Sequence, residues 1–375
     1  MSHGIKICDT TLRDGEQMPG VVFAPGQKIE LARRISDFGA DVIELMPAVS
    51  PSECDTTRAI ANMGLGATEI TASTMLRKAD IETAAGCGVQ SVTLFTPLSD
   101  IHLQHKLGIG WEDNLAKALE MVDFARAQGL KVNFAGEDST RTEKGRLLEF
   151  INALPKDIGY FLVCDTLGCL TPAKAYSLFS DVCTASKIPI GVHAHNDFGM
   201  ATANTLAAVA GGASVISGTF TGIGERAGNA PLEEVILALR FLYGKELDVR
   251  YNDLAGLCGL VEGYSGVGLQ PHKPVIGSNA FTHESGIHAD GVIKYPGTYE
   301  NFPPETISRE RRILFGKHSG RKVLEHFFGK ELGGEGIRLL LEKVKAVSET
   351  EKRALSLEEV KEISKGLAVA REVRA

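Results

Sequence analysis

The chain has 375 residues, 43% of them hydrophobic, and a formal net charge of −7. Such a composition supplies ample core material, and the absence of a long basic run argues against a nucleic-acid ligand. No stretch reaches the ~20 apolar residues of a membrane helix, no charged-then-apolar leader opens the chain, and the cysteines are scattered without CxxC spacing, so a soluble cytoplasmic protein with buried thiols is expected.

Eight short runs rich in β-branched or apolar residues follow one another along the first two thirds of the chain: 5–11, 41–48, 69–74, 91–97, 131–137, 160–166, 188–195 and 215–222. Between them lie amphipathic helical patterns, such as 27–38, 114–128 and 174–186. Strand–helix alternation predicts a parallel sheet, because parallel neighbours need long crossovers. Eight units predict a closed (β/α)8 TIM barrel, and no GxGxxG follows the first strand to suggest a dinucleotide fold. Past residue 248 the pattern changes. A helical stretch at 252–268 leads into a Gly/Pro/His-rich segment with little periodicity, 270–304. Two further helical patterns follow at 321–328 and 337–348, then a charged tail. The expected division is a catalytic barrel over 1–250 and a smaller, mostly helical appendage over 251–375, without a regulatory domain.

A barrel of this type carries its active site at the C-terminal strand ends, and polar residues cluster there. The first strand runs into Thr10, Thr11, Arg13, Asp14, Glu16 and Gln17, the fifth into Glu137, Asp138 and Arg141, and the sixth into Asp165 and Thr166. The seventh ends in His193, His195, Asn196 and Asp197, and the eighth opens the loop GIGERAGNA, 222–230. His193 and His195 are two residues apart, so on a strand both imidazoles point to the same side. Alone, such a pair reads equally well as hydrogen-bonded histidines. With Asp14 and Asn229 at the same barrel end, it suits one divalent cation, Mg²⁺, Mn²⁺ or Zn²⁺. Arg13, next to Asp14, is placed to hold a carboxylate or polarise an oxygen.

Six segments together closely resemble the isopropylmalate synthase and homocitrate synthase family of metal-dependent TIM-barrel enzymes: DTTLRDGEQMPG (9–20), EDSTRT (137–142), HAHNDFGMATANTLAA (193–208), GIGERAGNAPLEEV (222–235), FTHESGIHADGVIK (281–294) and GKHSG (316–320). The resemblance implies addition of the acetyl group of acetyl-CoA, the co-substrate, to a 2-oxo acid, with loss of CoA. Asp14, His193, His195 and Asn229 are then the metal ligands, and the 2-oxo acid reaches the metal through its carboxylate and carbonyl oxygens. Arg13 stabilises the developing alkoxide, Thr166 contacts the substrate carboxylate, and Glu137 and Glu225 line the pocket. His288, partnered by Tyr299, is the implied base for the acetyl methyl. It would act from the appendage of the other subunit of a homodimer.

Departures from the family pattern bear on the acceptor. The glycine-containing E-x-G-x-P after the second strand is Glu44-Leu45-Met46-Pro47 here, and the arginine of lysine-pathway homocitrate synthases is replaced by Asn133. His102 and Arg77 remain as cations for a distal carboxylate. The FTHESGIH run and the lack of a regulatory domain favour a homocitrate synthase-like enzyme using 2-oxoglutarate. The alternatives are a (Re)-citrate synthase on oxaloacetate, a 2-isopropylmalate or citramalate synthase and, more remotely, a hydroxymethylglutaryl-CoA lyase-type enzyme.

Overall fold

The computed structural model describes residues 4–372. They form two compact units, divided in the chain after Leu269. In the first, eight parallel strands close into a barrel in chain order: β1 (Lys6–Asp9), β2 (Val42–Leu45), β3 (Glu69–Met75), β4 (Ser91–Pro97), β5 (Lys131–Glu137), β6 (Phe161–Asp165), β7 (Ile190–Ala194) and β8 (Val215–Gly218). Closure is made by β8 against β1, with Lys6 opposite Val215 and Asp9 opposite Gly218. All eight strands coincide with runs expected from the sequence. The ladders stop a residue or more short of several expected ends, where Thr10, Met46 and Thr166 turn out into loops.

The outer layer consists of α1 (Pro25–Phe38), α2 (Pro51–Ala61), α3 (Lys78–Cys87), the one-turn α4 (Asp100–His102), α5 (Trp111–Ala127), α6 (Lys144–Ala153), α7 (Pro172–Ala185), α8 (Ala201–Ala210) and α9 (Leu232–Tyr243). The boundary expected at residue 250 falls later. The helix α10 (Leu254–Ser265) packs on the barrel side, against α1, through its buried Leu254, Leu257, Cys258 and Val261.

In the second unit, the segment read as lacking periodicity holds β9 (Thr282–His283), paired in parallel with β10 (Arg312–Ile313), and α11 (Gly286–Lys294). The two helical patterns that follow are a single run, α12 (Arg321–Glu351), kinked at Gly333, where φ is 61°. The expected charged tail is instead α13 (Leu357–Glu372), and residues 373–375 lie outside the described residues. Its Val360 is buried with Phe315, Leu340 and Val344 in this unit's core, so the charges occupy one face of a packed helix. No helix among the described residues is long and apolar enough to cross a membrane.

The loop after β1 is fastened by a buried lysine. Lys28 on α1 is 1% exposed and donates to Glu53 on α2 at 2.5 Å and to Glu16 of the loop. The other Glu16 oxygen accepts from the Phe23 N–H at 2.9 Å, closing the loop on itself. Lys28→Met leaves two carboxylates facing one another without their cation. The glutamates are 20% exposed, so water relieves part of that penalty, and a loss of about 3 kcal/mol in urea unfolding is expected, the low end for a broken buried pair. Unchanged stability would show that the cluster contributes nothing net.

Candidate active site

The residues at the C-terminal strand ends surround a cavity of about 340 Å³, lined among others by Arg13, Asp14, Glu44, Lys106, Glu137, Thr166, His193, His195 and Glu225. His193 and His195 are both buried and both face inward, as their spacing requires. Their Nε2 atoms lie 3.3 Å apart, and Asp14 Oδ2 stands 3.5 Å from the first and 4.0 Å from the second. The three ligand atoms form a cluster of the kind that holds a metal ion.

Local backbone features bring the fourth candidate to this cluster. His195 makes an isolated antiparallel bridge with Asn229, and Ala230 N–H donates to Ala194 O at 3.0 Å, so the GERAGN loop folds back on the end of β7. Asn229 Nδ2 then donates to Asp14 Oδ1 at 2.8 Å. Two glycines are required for this path. Gly224 (φ 151°) and Gly228 (φ 87°) adopt conformations that side chains disfavour, and a Cβ there would strike the Asn229 amide or the Gly222 carbonyl.

A divalent ion fits these residues on chemical grounds. Burial, with His193 beside it, pushes His195 down to about 4, so its imidazole is neutral and able to ligate. Burial would raise the Asp14 carboxyl, but the Arg13 guanidinium holds it well below the usual carboxylate range. Imidazole nitrogens facing a carboxylate make an electron-rich cluster that a cation neutralises. Asn229 Oδ1 and His195 Nδ1 are, in addition, buried without a hydrogen-bond partner in the described chain.

His193 is oriented from behind. Its Nδ1 lies 3.0 Å from Ser217 Oγ, across the β7–β8 ladder where the two residues are register partners. A ring that donates Nδ1–H to Ser217 presents its Nε2 lone pair to Asp14 and His195. Ser217→Ala is expected to weaken divalent-ion affinity about tenfold by calorimetric titration, with the fold intact. Unchanged affinity would show that packing alone orients the ring.

Glu44, to which the sequence assigned no role, anchors Arg13. Its Oε2 accepts from Arg13 Nε at 2.8 Å, Arg13 Nη2 at 2.7 Å and Thr10 Oγ1 at 2.8 Å. Arg13 Nη1 meanwhile donates to Asp14 at 2.6 Å. The guanidinium is therefore immobilised with one edge on Glu44 and another on the metal-site carboxylate. The sequence signals for Glu44 were an acidic residue in an otherwise apolar strand, β2, and its place at the head of the shortened E-x-G-x-P motif.

The remaining predicted residues separate. Thr166 Oγ1 accepts from the Asp138 N–H at 2.8 Å, which leaves its own hydrogen free for a ligand. Glu225 lines the cavity and donates its N–H to Asp14 Oδ1 at 3.4 Å. His102 is not among the residues lining this cavity; its Nδ1 sits 3.3 Å from Glu137 Oε1. Lys106 does line the cavity, as do Arg13 and Arg226, and it is bonded to Glu137 at 2.7 and 2.8 Å from a π-helical turn (Leu103–Leu107). Arg77 does not line the cavity either. Asn133 is buried lower on β5, its Nδ2 3.5 Å from Ser91 Oγ. In the second unit, His288 is exposed on α11 with its ring edge-on to Tyr299, centroids 4.5 Å apart.

Comparison with known proteins identifies a family. The HMGL-like family model matches residues 4–258, and the homocitrate synthase post-HMGL domain-like model matches 275–353. A probable 2-isopropylmalate synthase of Methanopyrus kandleri is 46% identical over 92% of this chain and 68% of its own length. The homocitrate synthase AksA of the same organism is 43% identical over 94% of this chain and 91% of its own. Among solved structures, the Bacillus subtilis HMG-CoA lyase superposes with a TM-score of 0.63 at 20% identity, covering 71% of this chain and 95% of that one, a likeness of fold. With its barrel and following segment both matched, the chain belongs to the HMGL-like family, as an enzyme of the homocitrate and isopropylmalate synthase type.

Proposed function

We propose that this enzyme condenses acetyl-CoA with a dicarboxylic 2-oxo acid, 2-oxoglutarate in preference to oxaloacetate, and releases CoA. The observation that carries the reading is Arg13, held between Asp14 and Glu44 at the cavity wall. A fixed guanidinium beside a cation site is suited to an oxygen that becomes negative during carbonyl addition. A divalent ion, Mg²⁺, Mn²⁺ or Zn²⁺, would be held by Asp14, His193, His195 and Asn229, and when bound it supplies a Lewis acid for the acceptor.

The chain's own groups do the rest. Arg13 donates to the carbonyl oxygen as it gains charge, and Thr166 donates its free hydroxyl hydrogen to the substrate carboxylate. Lys106 exchanges Glu137 for the distal carboxylate, the part assigned to His102 from the sequence. Such a group, left unpaired once desolvated, would cost several kcal/mol. His288, steadied by Tyr299, takes a proton from the acetyl methyl, reaching the site from a second copy of the chain in a homodimer. Water then cleaves the thioester and frees the CoA thiol. The homocitrate synthase relative, matched along nearly its full length, supports the dicarboxylic acceptor.

One feature favours a second acceptor class. Met46, Met75, Phe95 and Ala135 also line the cavity and would suit an apolar tail, as in 2-oxoisovalerate or pyruvate. Thiol release from acetyl-CoA, measured as kcat/KM on a panel of 2-oxo acids, separates the two. The expected result is highest kcat/KM for 2-oxoglutarate, abolition by a chelator with recovery on adding one of the three ions, and a loss of about tenfold or more for 2-oxoglutarate in Lys106→Gln. A preference for 2-oxoisovalerate or pyruvate, unaffected by Lys106→Gln, would replace the acceptor while leaving the condensation in place.

A further inference from the structure

A second reactive cluster lies in the helical layer. Cys54 is in the first turns of α2 and Cys87 closes α3, and their Sγ atoms are in contact at 3.1 Å. Arg58, one turn along α2, donates Nη2 to Cys54 Sγ at 3.3 Å while Asp55 holds its Nη1 at 2.6 Å. The guanidinium thus sets a cationic donor against a half-buried sulfur. Cys87 is buried, and that burial, with the hydrogen bond to Cys54, pushes its thiol up to about 12. The pair is therefore asymmetric, with a half-buried sulfur beside a cation and a buried sulfur behind it.

We propose that Cys54 and Cys87 form a thiol-modification site that takes low-molecular-weight disulfides and closes to an intrachain bond between α2 and α3. The Cys54 thiolate attacks one sulfur of the small disulfide, forming a mixed disulfide and expelling one thiolate. The hydrogen bond and charge of Cys54 are then gone, which removes two of the influences that keep Cys87 protonated. The Cys87 sulfur, losing its proton to solvent, attacks Cys54 and expels the second thiolate. The protein loses two hydrogens, and the small disulfide is reduced to two thiols. The bond would join the helices that follow β2 and β3, whose ends carry Glu44, Met46 and Met75 to the cavity.

The test treats the full-length folded protein with oxidised glutathione and maps the peptides by mass spectrometry, with exposed Cys169 as comparator. The expected product is a Cys54–Cys87 cross-link, reversed by dithiothreitol, with only a mixed disulfide at Cys169. Cys87→Ala should trap glutathione on Cys54, and Arg58→Gln should slow modification of Cys54 about tenfold. Glutathione accumulating on wild-type Cys54 without a cross-link, or Cys54 remaining unmodified while Cys169 reacts, would overturn the proposal.

Discussion

His288→Ala is expected to lower kcat by about 10²–10⁴, the usual cost of losing a general base, while leaving divalent-ion and 2-oxo acid affinity nearly unchanged. The proposed site assigns those affinities to barrel residues, and His288 belongs to the second compact unit. Its exposed imidazole stacks edge-on against Tyr299, and Tyr299→Phe should keep the ring support and much of the activity. A shared site has a further signature. Mixing inactive His288→Ala with inactive Asp14→Ala subunits should restore about a quarter of wild-type turnover, because half of randomly exchanged dimers are mixed and each has one intact site. Failure to recover after demonstrated exchange would place the base in the same chain as the metal ligands. Near-normal turnover in His288→Ala would remove it as the base.

Arg13→Ala is expected to lower kcat by about 10²–10³, as loss of an oxyanion donor does, and to raise the KM for the 2-oxo acid as well. Alanine also leaves Glu44 buried, 1% exposed, without its cation, so a rearranged wall would contribute to the loss. Arg13→Ala/Glu44→Gln removes that charge and should recover stability but not kcat. Arg13→Lys keeps a charge but cannot bridge Glu44 and Asp14 with a planar fork, and it should remain well below wild type. A kcat near wild type in Arg13→Ala would end its role at the developing oxyanion.

Of the residues behind these predictions, Arg13 and the paired histidines are legible in local sequence, whereas His288 is marked only by the resemblance of its segment to the synthase family. Each β-run and each amphipathic helix is encoded by its own periodicity. His193 and His195 needed only the two-residue repeat of a strand to be placed side by side. Asp14 and Asn229 needed one further inference, that the strands close into a barrel. Periodicity also located both halves of α12, because the break at Gly333 interrupts the pattern as it interrupts the helix. It failed at α13, where Glu and Lys on the solvent face obscured the buried stripe that includes Val360.

What only the tertiary structure decided are contacts between side chains far apart in the chain. Glu44 looked like a remnant of a shortened motif until strand pairing set β2 beside β1 and gave it Arg13 and Thr10 to hold. Ser217 had no signal at all, since its role is defined by the register of β8 against His193. The sequence offers His102 as the cation, and Lys106 lies one helical turn beyond it. The π-helical turn at Leu103–Leu107 brings Lys106, and not His102, to the cavity wall. Local periodicity carries which residues face inward. Which inward-facing groups touch is set by barrel closure, strand register and turn geometry, and these depend on the packing of the whole unit.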